Sequence, residues 1–320
     1  QDELRCIMAP ENDTAVTELI LDGFSGLDER LQLFLSLLLL LIYLTTVLGN
    51  VTIILLVCVD RRLQTPMYLF ISSLAFLEIW FTSSTSVKLL VMLGAGRRTI
   101  SVSGCFAQSY FYCALGCTEF VLLVVTSFDR CVAICQPLRY AAIMQPQLCI
   151  SLVAAAWLLG FTLLSYHLVL LYQLTFCGSN KIQHFFCDSS PLFKLSCSDT
   201  SLLWKIDSGF ISFVLFSSLC FILAFYTCIL LCILHLPAAL ERKKALTTCS
   251  SHLFTLATVY GSCIALYTHP SGDTSLDTST MVALLNTVLY PFLNPFIYSF
   301  RNKAVIVALK EALAGAAIRL

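Results

Sequence analysis

Seven stretches of the chain are long and almost free of charge: 31–58, 67–93, 105–128, 148–171, 203–236, 250–268 and 279–300. Roughly 20 apolar residues suffice for a helix to cross the hydrocarbon core of a bilayer, and each run reaches about that length. Strands of a membrane barrel would alternate in polarity over about ten residues, whereas a segment such as LFLSLLLLLIYL (33–44) does not alternate. In lipid every backbone polar group needs a partner within its own element, so the runs are predicted to be helices. After the last run, RNKAVIVALKEALAG (301–315) mixes apolar and basic residues at helical spacing. That pattern suits a short amphipathic helix lying on a membrane surface. The expected fold is an all-α membrane protein, a seven-transmembrane helix bundle with a short eighth helix. Residues 1–30 form an extracellular N-terminal segment, 31–300 the bundle, and 301–320 a cytoplasmic amphipathic helix and tail.

Composition points the same way. Of 320 residues 58% are hydrophobic and 12% charged, and the mean hydropathy is +0.86. A soluble domain carries about 25% charged residues, and one core of this size does not hide so much apolar surface. The net charge is zero, but the basic residues are unevenly placed. Arg61, Arg62, Arg130, Arg139, Arg242, Lys243, Lys244, Arg301, Lys303, Lys310 and Arg319 fall on one side of the seven spans. Arg5, Arg30, Arg97, Arg98, Lys181, Lys194 and Lys205 fall on the other, diluted by acids. The excess of basic residues marks the cytoplasmic side, which puts the N-terminus outside and the tail in the cytosol. Asn12-Asp13-Thr14 is a glycosylation sequon on the outer side. A signal peptide of the usual form is missing, so the first span is expected to act as an uncleaved signal, with Met8 as a candidate natural start.

Sixteen cysteines are present. Cys113, Cys117, Cys220, Cys228 and Cys263 lie within spans and read as small apolar packing residues. Cys105, Cys177, Cys187 and Cys197 face the oxidising side, where four cysteines imply two bridges in one of three pairings. His184-Phe185-Phe186-Cys187-Asp188 reads either as a metal site or, with fewer assumptions, as a disulfide cysteine beside a surface histidine. Glu78 and Glu119 are intramembrane acids. They could share a proton, hold a hard cation such as sodium, or stay neutral and hydrogen-bonded. Lys88, near the end of span two, is expected to snorkel to the surface. Pro291 and Pro295 each remove a backbone donor and kink the last span, and Asn294 is placed to serve the freed carbonyls.

Several strings carry a family resemblance. An Asp129-Arg130 pair at the inner end of span three and Asn294-Pro295-x-x-Tyr298 in span seven resemble a rhodopsin-like G-protein-coupled receptor. Gly49-Asn50, PMYLF (66–70), FDRCVAICQPLRY (128–140), HFFCD (184–188), KALTTCSSHL (244–253) and PFLNPFIYSFRN (291–302) together resemble an odorant (olfactory) receptor over residues 8–312. The chain departs from the family pattern at Phe128 and Cys131, where tyrosines are usual, at Glu78, where aspartate is usual, and at Phe225, where serine is usual. These departures bear on the details of coupling.

The resemblance implies the following roles. Asp129 would hold Arg130 in the idle state, and a heterotrimeric stimulatory G protein, which raises cAMP, would enter beside them. Tyr226 and Tyr298 would swing toward the arginine, and Arg242, Lys243 and Lys244 would frame the cleft. Asn294 and Pro295 would serve as a hinge. Cys105 would bridge to Cys187 and Cys177 to Cys197, and Glu78 with Glu119 would hold sodium. A small hydrophobic odorant would bind in the outer third of the bundle. Helical spacing brings Ser109, Tyr112, Cys113, Gly116 and Cys117 onto one face of span three. Phe210 and Val214 share a face in span five, Tyr260, Cys263, Ile264 and Tyr267 share one in span six, and Thr287 is the neighbour in span seven. No acid lies in the middle of these faces, which disfavours a charged amine, and Asp207 is the one candidate against that. The resemblance places the protein in the plasma membrane of olfactory sensory neuron cilia and leaves a dimer open. It implies no nucleic-acid partner, no catalytic residue and no cofactor besides the ion. A secondary transporter is the competing class, using the two glutamates as a proton relay, but no inverted repeat is visible. A channel would want charged rings, and an enzyme would want a nucleophile with its base or a phosphate loop. None of these is present in the sequence.

Overall fold

The structure, a computed structural model, describes residues 16–24, 26–176, 180–235, 239–268, 280, 283–300 and 303–319. Its long helices are α1 (Glu29–Val59), α2 (Pro66–Ala95), α3 (Val102–Cys135), α8 (Ser201–His235) and α9 (Ala239–Thr268). Between α3 and α8 lie the short α4 (Tyr140–Ile143), then α5 (Pro146–Leu163), α6 (Ser165–Tyr172) and α7 (Ser189–Leu195). A π-helical turn (Leu285–Leu289) leads into α10 (Tyr290–Phe300), and α11 (Lys303–Arg319) follows. Among the described residues, five helical stretches are long and apolar enough to cross a membrane: α1, α2, α3, Pro146–Tyr172 and α8. The apolar part of α9 is His252–Ile264.

Local chemistry sets the helix ends. Pro66 and Pro146 occupy first-turn positions, where the missing N–H costs nothing, and the residues before them, Thr65 and Gln145, are extended. Gly96, at φ +65°, ends α2 in the left-handed conformation that glycine adopts without strain. Ser101 caps α3 by accepting from Gly104 N at 3.1 Å. The fourth apolar run is not one continuous helix. It breaks at Leu164, beside the Ser165 hydroxyl that donates to Thr162 O at 2.7 Å.

The outer faces stay apolar. Leu33, Phe34, Leu37, Leu41 and Leu48 on α1, and Phe213, Phe216, Phe221 and Leu230 on α8, are exposed. Such continuous belts on several helices exceed what a water-soluble surface tolerates and fit a lipid surround. Inside, the helices approach closely. A Cβ on Gly49 would meet Pro295 Cβ at 2.9 Å, so the glycine lets α1 lie against the proline-bearing α10. Gly160 does the same for α5 against α3, where a Cβ would stand 2.9 Å from Ala114 O.

One end of the bundle carries a small cap. Strands β1 (Glu18–Leu21), β2 (Thr99–Ser101) and β3 (Lys181–Ile182) form a sheet in the order β2-β1-β3. β1 is antiparallel to β2 (Glu18↔Ser101) and parallel to β3 (Ile20↔Lys181). Leu19 and Leu21 point inward from β1, fully buried against a cluster with Phe185, Phe186 and Phe193. Burying each such side chain contributes on the order of 2 kcal/mol. Lys88 is a further tie to this end, its Nζ donating to Thr99 O at 2.5 Å and Arg97 O at 3.4 Å.

Two proline expectations resolve differently. Pro295 lies inside α10, while Pro291 follows the π-helical turn, whose wider register falls where the proline donor is missing. Asn294 does not serve the freed carbonyls. Its Nδ2 donates to Glu78 Oε1 across the bundle, because a buried carboxyl group is the stronger acceptor within reach.

Candidate functional site

Three arrangements stand along the bundle axis. The first is a cavity of about 140 Å³. α3 supplies Tyr112, Cys113, Gly116, Cys117, Glu119 and Phe120, and α8 supplies Phe210, Ile211, Val214 and Leu215. α9 adds Val259, Ser262 and Cys263, and Phe81, Leu164, Asn286 and Tyr290 complete the wall. Its lining is aromatic, aliphatic and thiol, with a few polar groups. An apolar cavity of about 150 Å³ admits benzene, so this space is of the right order for a small organic molecule.

Of the residues expected in the pocket, Tyr112, Cys113, Gly116, Cys117, Phe210, Val214 and Cys263 line the cavity. Four lie elsewhere. The Ser109 hydroxyl is 3.1 Å from His167 Nε2, while His167 Nδ1 is 3.1 Å from Asp207 Oδ1, making a buried chain across α3, α6 and α8. That chain settles what His167 and Asp207 touch. The Tyr260 hydroxyl donates to Ser218 Oγ at 2.7 Å, and its ring packs 5.3 Å from that of Phe120, just behind the wall. Thr287 Oγ1 donates to Ala283 O at 2.8 Å within its own helix. Ile264 is 45% exposed on the outer surface, because its position on α9 points away from the bundle axis. The side chain of Tyr267 lies outside the described residues. The absence of an acid from the pocket faces needs correction. Glu119 lines the cavity, because α3 turns this residue inward beside Phe120.

The second arrangement lies at the level of Glu78. Glu78 and Glu119 are buried at 1% and 6% exposure. Tyr290 interacts with both carboxyl groups and Asn294 with Glu78.

The third is the charge pair. Asp129 is fully buried and Arg130 nearly so. Arg130 Nε donates to Asp129 Oδ2 at 3.0 Å, its Nη2 also donates there, and the Tyr140 hydroxyl donates to Oδ1 at 2.7 Å. A buried carboxylate held by a guanidinium and a phenol is nearly satisfied; removing either partner strands charge. The carboxylate and burial raise the Tyr140 phenol above its ordinary value, burial being the larger cause. The Tyr226 hydroxyl is 2.7 Å from His252 Nδ1, with the two rings stacked. Arg242 and Lys243 are exposed, whereas the side chains of Lys244 and Tyr298 lie outside the described residues. Tyr140 and His252 both stand in strings read from the sequence, yet nothing in the strings alone says what they hold.

At the capped end Cys105 bonds Cys187. Gln108 supports the bridge, accepting from Cys187 N at 3.1 Å and donating to Ser84 O at 2.8 Å. Cys197 is also disulfide-bonded, while Cys177 and Asn12 lie outside the described residues. His184 is packed between the rings of Phe185 and Phe186, with Phe186 N 3.4 Å from its Nδ1. Burial holds this imidazole down at about 4, and burial lifts the neighbouring Asp188 carboxyl to about 6, with the Asp207 charge adding to it. Among the described residues no three His, Cys, Asp or Glu side chains are placed to hold a metal. In the HFFCD string Cys187 anchors the disulfide and His184 is packed against aromatic rings.

The sequence profile described as "Olfactory receptor" matches residues 39–315. The chain belongs to the olfactory receptor family. Mouse olfactory receptor 6E1 is 49% identical over 302 residues, covering 94% of this chain and 96% of the relative. Human olfactory receptors 6C75 and 6C3 are 46% and 45% identical, each over 94% of this chain and 96% and 97% of the relatives. This olfactory receptor is thus a multi-pass membrane protein and a receptor, not an enzyme.

Proposed function

We propose that this olfactory receptor binds a small, mainly hydrophobic volatile in the cavity between α3, α8 and α9 and answers by activating a stimulatory G protein, raising cAMP. The observation that carries the reading is the cavity itself, an apolar space walled by the middle of the bundle and separated from the Asp129–Arg130 pair by further turns of α3. Dispersion and apolar burial would supply most of the affinity. Ser262, Asn286, Glu119 and Tyr290 in the wall offer the partner for one hydrogen bond.

Activation is a shift of population. The odorant must bind the active arrangement of helices more tightly than the idle one. Phe120 in the wall rests on Tyr260, which is bonded to Ser218 on α8, so a ligand pressing on Phe120 acts on the contact between α8 and α9. At the far end, release of Arg130 from Asp129 and of Tyr226 from His252 opens a cleft framed by Arg242, Lys243 and Lys244. Asn294, Pro295 and Tyr298 make α10 a hinge. The orientation is outer N-terminus and cytosolic tail, in the cilia of olfactory neurons, with Asn12 glycosylated and Cys177 as the partner of Cys197. Glu78 Oε2, Glu119 Oε1 and Asn294 Oδ1 are buried oxygens without a hydrogen-bond partner among the described residues. Hard oxygen donors of this kind fit a sodium ion, which would offset one carboxylate charge of the pair when bound.

The test is cAMP output against a panel of neutral volatiles, for the natural chain and Arg130→Ala at matched surface levels. The reading requires a ligand-dependent rise that the variant loses. A transporter using the two glutamates would be indifferent to Arg130, so uptake or output that survives Arg130→Ala sinks the proposal.

A further inference from the structure

The end of the bundle that carries Asp129 and Arg130 also gathers four thiols. Cys131 and Cys135 are one turn apart on α3, and Cys228 and Cys232 are one turn apart on α8. Cys131 Sγ lies 4.0 Å from Cys135 Sγ, and Cys135 Sγ lies 3.6 Å from Cys228 O. The Cys232 thiol interacts with both α3 thiols, and the Cys228 thiol interacts with Cys131. All four are free, Cys228 is exposed and the other three are half-buried. By contrast, Cys117, Cys149 and Cys249 are buried, as packing residues are.

Geometry selects which thiols can join. Residues one turn apart on a helix keep their Cβ atoms about 5–6 Å apart, while a disulfide needs Cβ atoms about 3.5–4.5 Å apart. Bridges within α3 or within α8 would distort the helix. A bridge between the helices avoids that distortion, and Cys135 Sγ already reaches α8, 3.6 Å from Cys228 O. Cys135 and Cys232 meet across that contact.

We propose that Cys135 and Cys232 form a reversible oxidation site that ties α3 to α8 beside the switch, its modifier being a hydroperoxide such as hydrogen peroxide. One thiolate attacks the O–O bond, giving a sulfenic acid and releasing hydroxide, which takes up a proton to become water. The second thiolate attacks the sulfenic sulfur, the S–S bond forms as the S–O bond breaks, and the departing hydroxide takes up a proton to become a second water, the two protons being those the two thiols gave up. Two sulfurs lose two electrons in total, the peroxide gains two, and cytosolic thiols reverse the step. The consequence follows from position. Cys135 stands five residues after Arg130 and Cys232 six after Tyr226, so the bridge would hold the inner ends of α3 and α8, which carry Arg130 and Tyr226, against each other. That consequence, and the reducing compartment assumed, rest on the orientation and coupling proposed above; the bridge itself does not.

The experiment uses the full-length receptor in cell membranes. Membranes are treated with hydrogen peroxide, free thiols are blocked with one maleimide, bridges are reduced, and a second maleimide of different mass is added before peptide mass spectrometry. Cys135 and Cys232 should acquire the second label together. Cys232→Ser should abolish it on Cys135, Cys135→Ser should abolish it on Cys232, and Cys228→Ser should leave both. Persistence of the first label on both residues, at peroxide levels that oxidise free glutathione, overturns the proposal. So does second label on Cys135 in the Cys232→Ser variant, which would mean that Cys135 is oxidised without Cys232. In parallel, odorant-evoked cAMP should fall at least about threefold in oxidised natural receptor and not in Cys232→Ser. A bridge found by mass with unchanged cAMP supports the site and counts against the coupling reading instead.

Discussion

Leucine at position 116 would place four side-chain carbons in the cavity and almost nowhere else. A Cβ built on Gly116 meets nothing within 4 Å, and the residue lines the 140 Å³ space. The fold should accept the change, since replacing a mid-helix glycine with a better helix former adds roughly 0.8 kcal/mol of helix stability. A ligand that must yield space to four carbons loses their burial, about 0.8 kcal/mol each, or roughly 3 kcal/mol in all. At about 1.4 kcal/mol per factor of ten, affinity falls by roughly two decades. The assay is a cAMP concentration–response curve at matched surface levels, with Gly261→Leu as control, because a Cβ on Gly261 also meets nothing yet the residue is exposed on the outer face of α9. A half-maximal concentration for Gly116→Leu within about threefold of the natural chain would show that the odorant does not occupy this cavity.

Other outcomes follow from geometry already described. Tyr140→Phe removes a donor from the fully buried Asp129 carboxylate, costing about 1.5–3 kcal/mol in the idle arrangement, so basal cAMP without odorant should rise. Gly160→Ala drives a Cβ against Thr118 and the Ala114 carbonyl; a loss of about 1–3 kcal/mol should appear as a lower unfolding temperature in detergent and reduced surface expression. The capped end holds two groups that answer acid in opposite directions. His184 is held at about 4 against an ordinary 6.5, so the folded loop binds fewer protons than the unfolded chain between those values and loses stability as pH falls through them. Asp188 sits at about 6 against an ordinary 3.8, so the folded loop binds more protons there and gains stability as pH falls. Thermal unfolding from pH 7 to 5 should therefore shift upward with acid in His184→Gln and downward in Asp188→Asn, and parallel shifts in both would refute the assignment.

How much of this was legible beforehand depended on the physical scale of each feature. The spans were readable because lipid imposes length and apolarity on a whole segment. Gly49-Asn50 could be picked out as a string, but that Gly49 gives way to Pro295 depends on where α1 crosses α10. The face of α3 that lines the cavity followed from helical spacing, and Tyr112, Cys113, Gly116 and Cys117 all lie on it. Ile264 failed the same reasoning because spacing gives a relative angle and not the absolute rotation of α9 against its neighbours. Ser109 was drawn away by His167, a partner 58 residues distant. Asn294 was drawn to Glu78 rather than to its own helix for the same reason, since non-local hydrogen bonds leave no local signature. The strands of the cap are two to four residues long, too short to carry a period.

The cap also has a bearing on how the chain comes to be assembled. Its three strands are drawn from residues 18–21, 99–101 and 181–182, and the Cys105–Cys187 bond spans 82 positions. During synthesis from the N-terminal end, β1 can meet β2 only after two spans have been threaded, and β3 only after four. Until then Leu19 and Leu21 have no lid and the Cys105 thiol has no mate. Contacts this far apart in sequence form slowly, and exposed apolar strand edges invite wrong partners in the interval. Yield of this receptor at the cell surface should therefore be set by how long β1 and Cys105 are kept from other chains before residues 181–187 arrive.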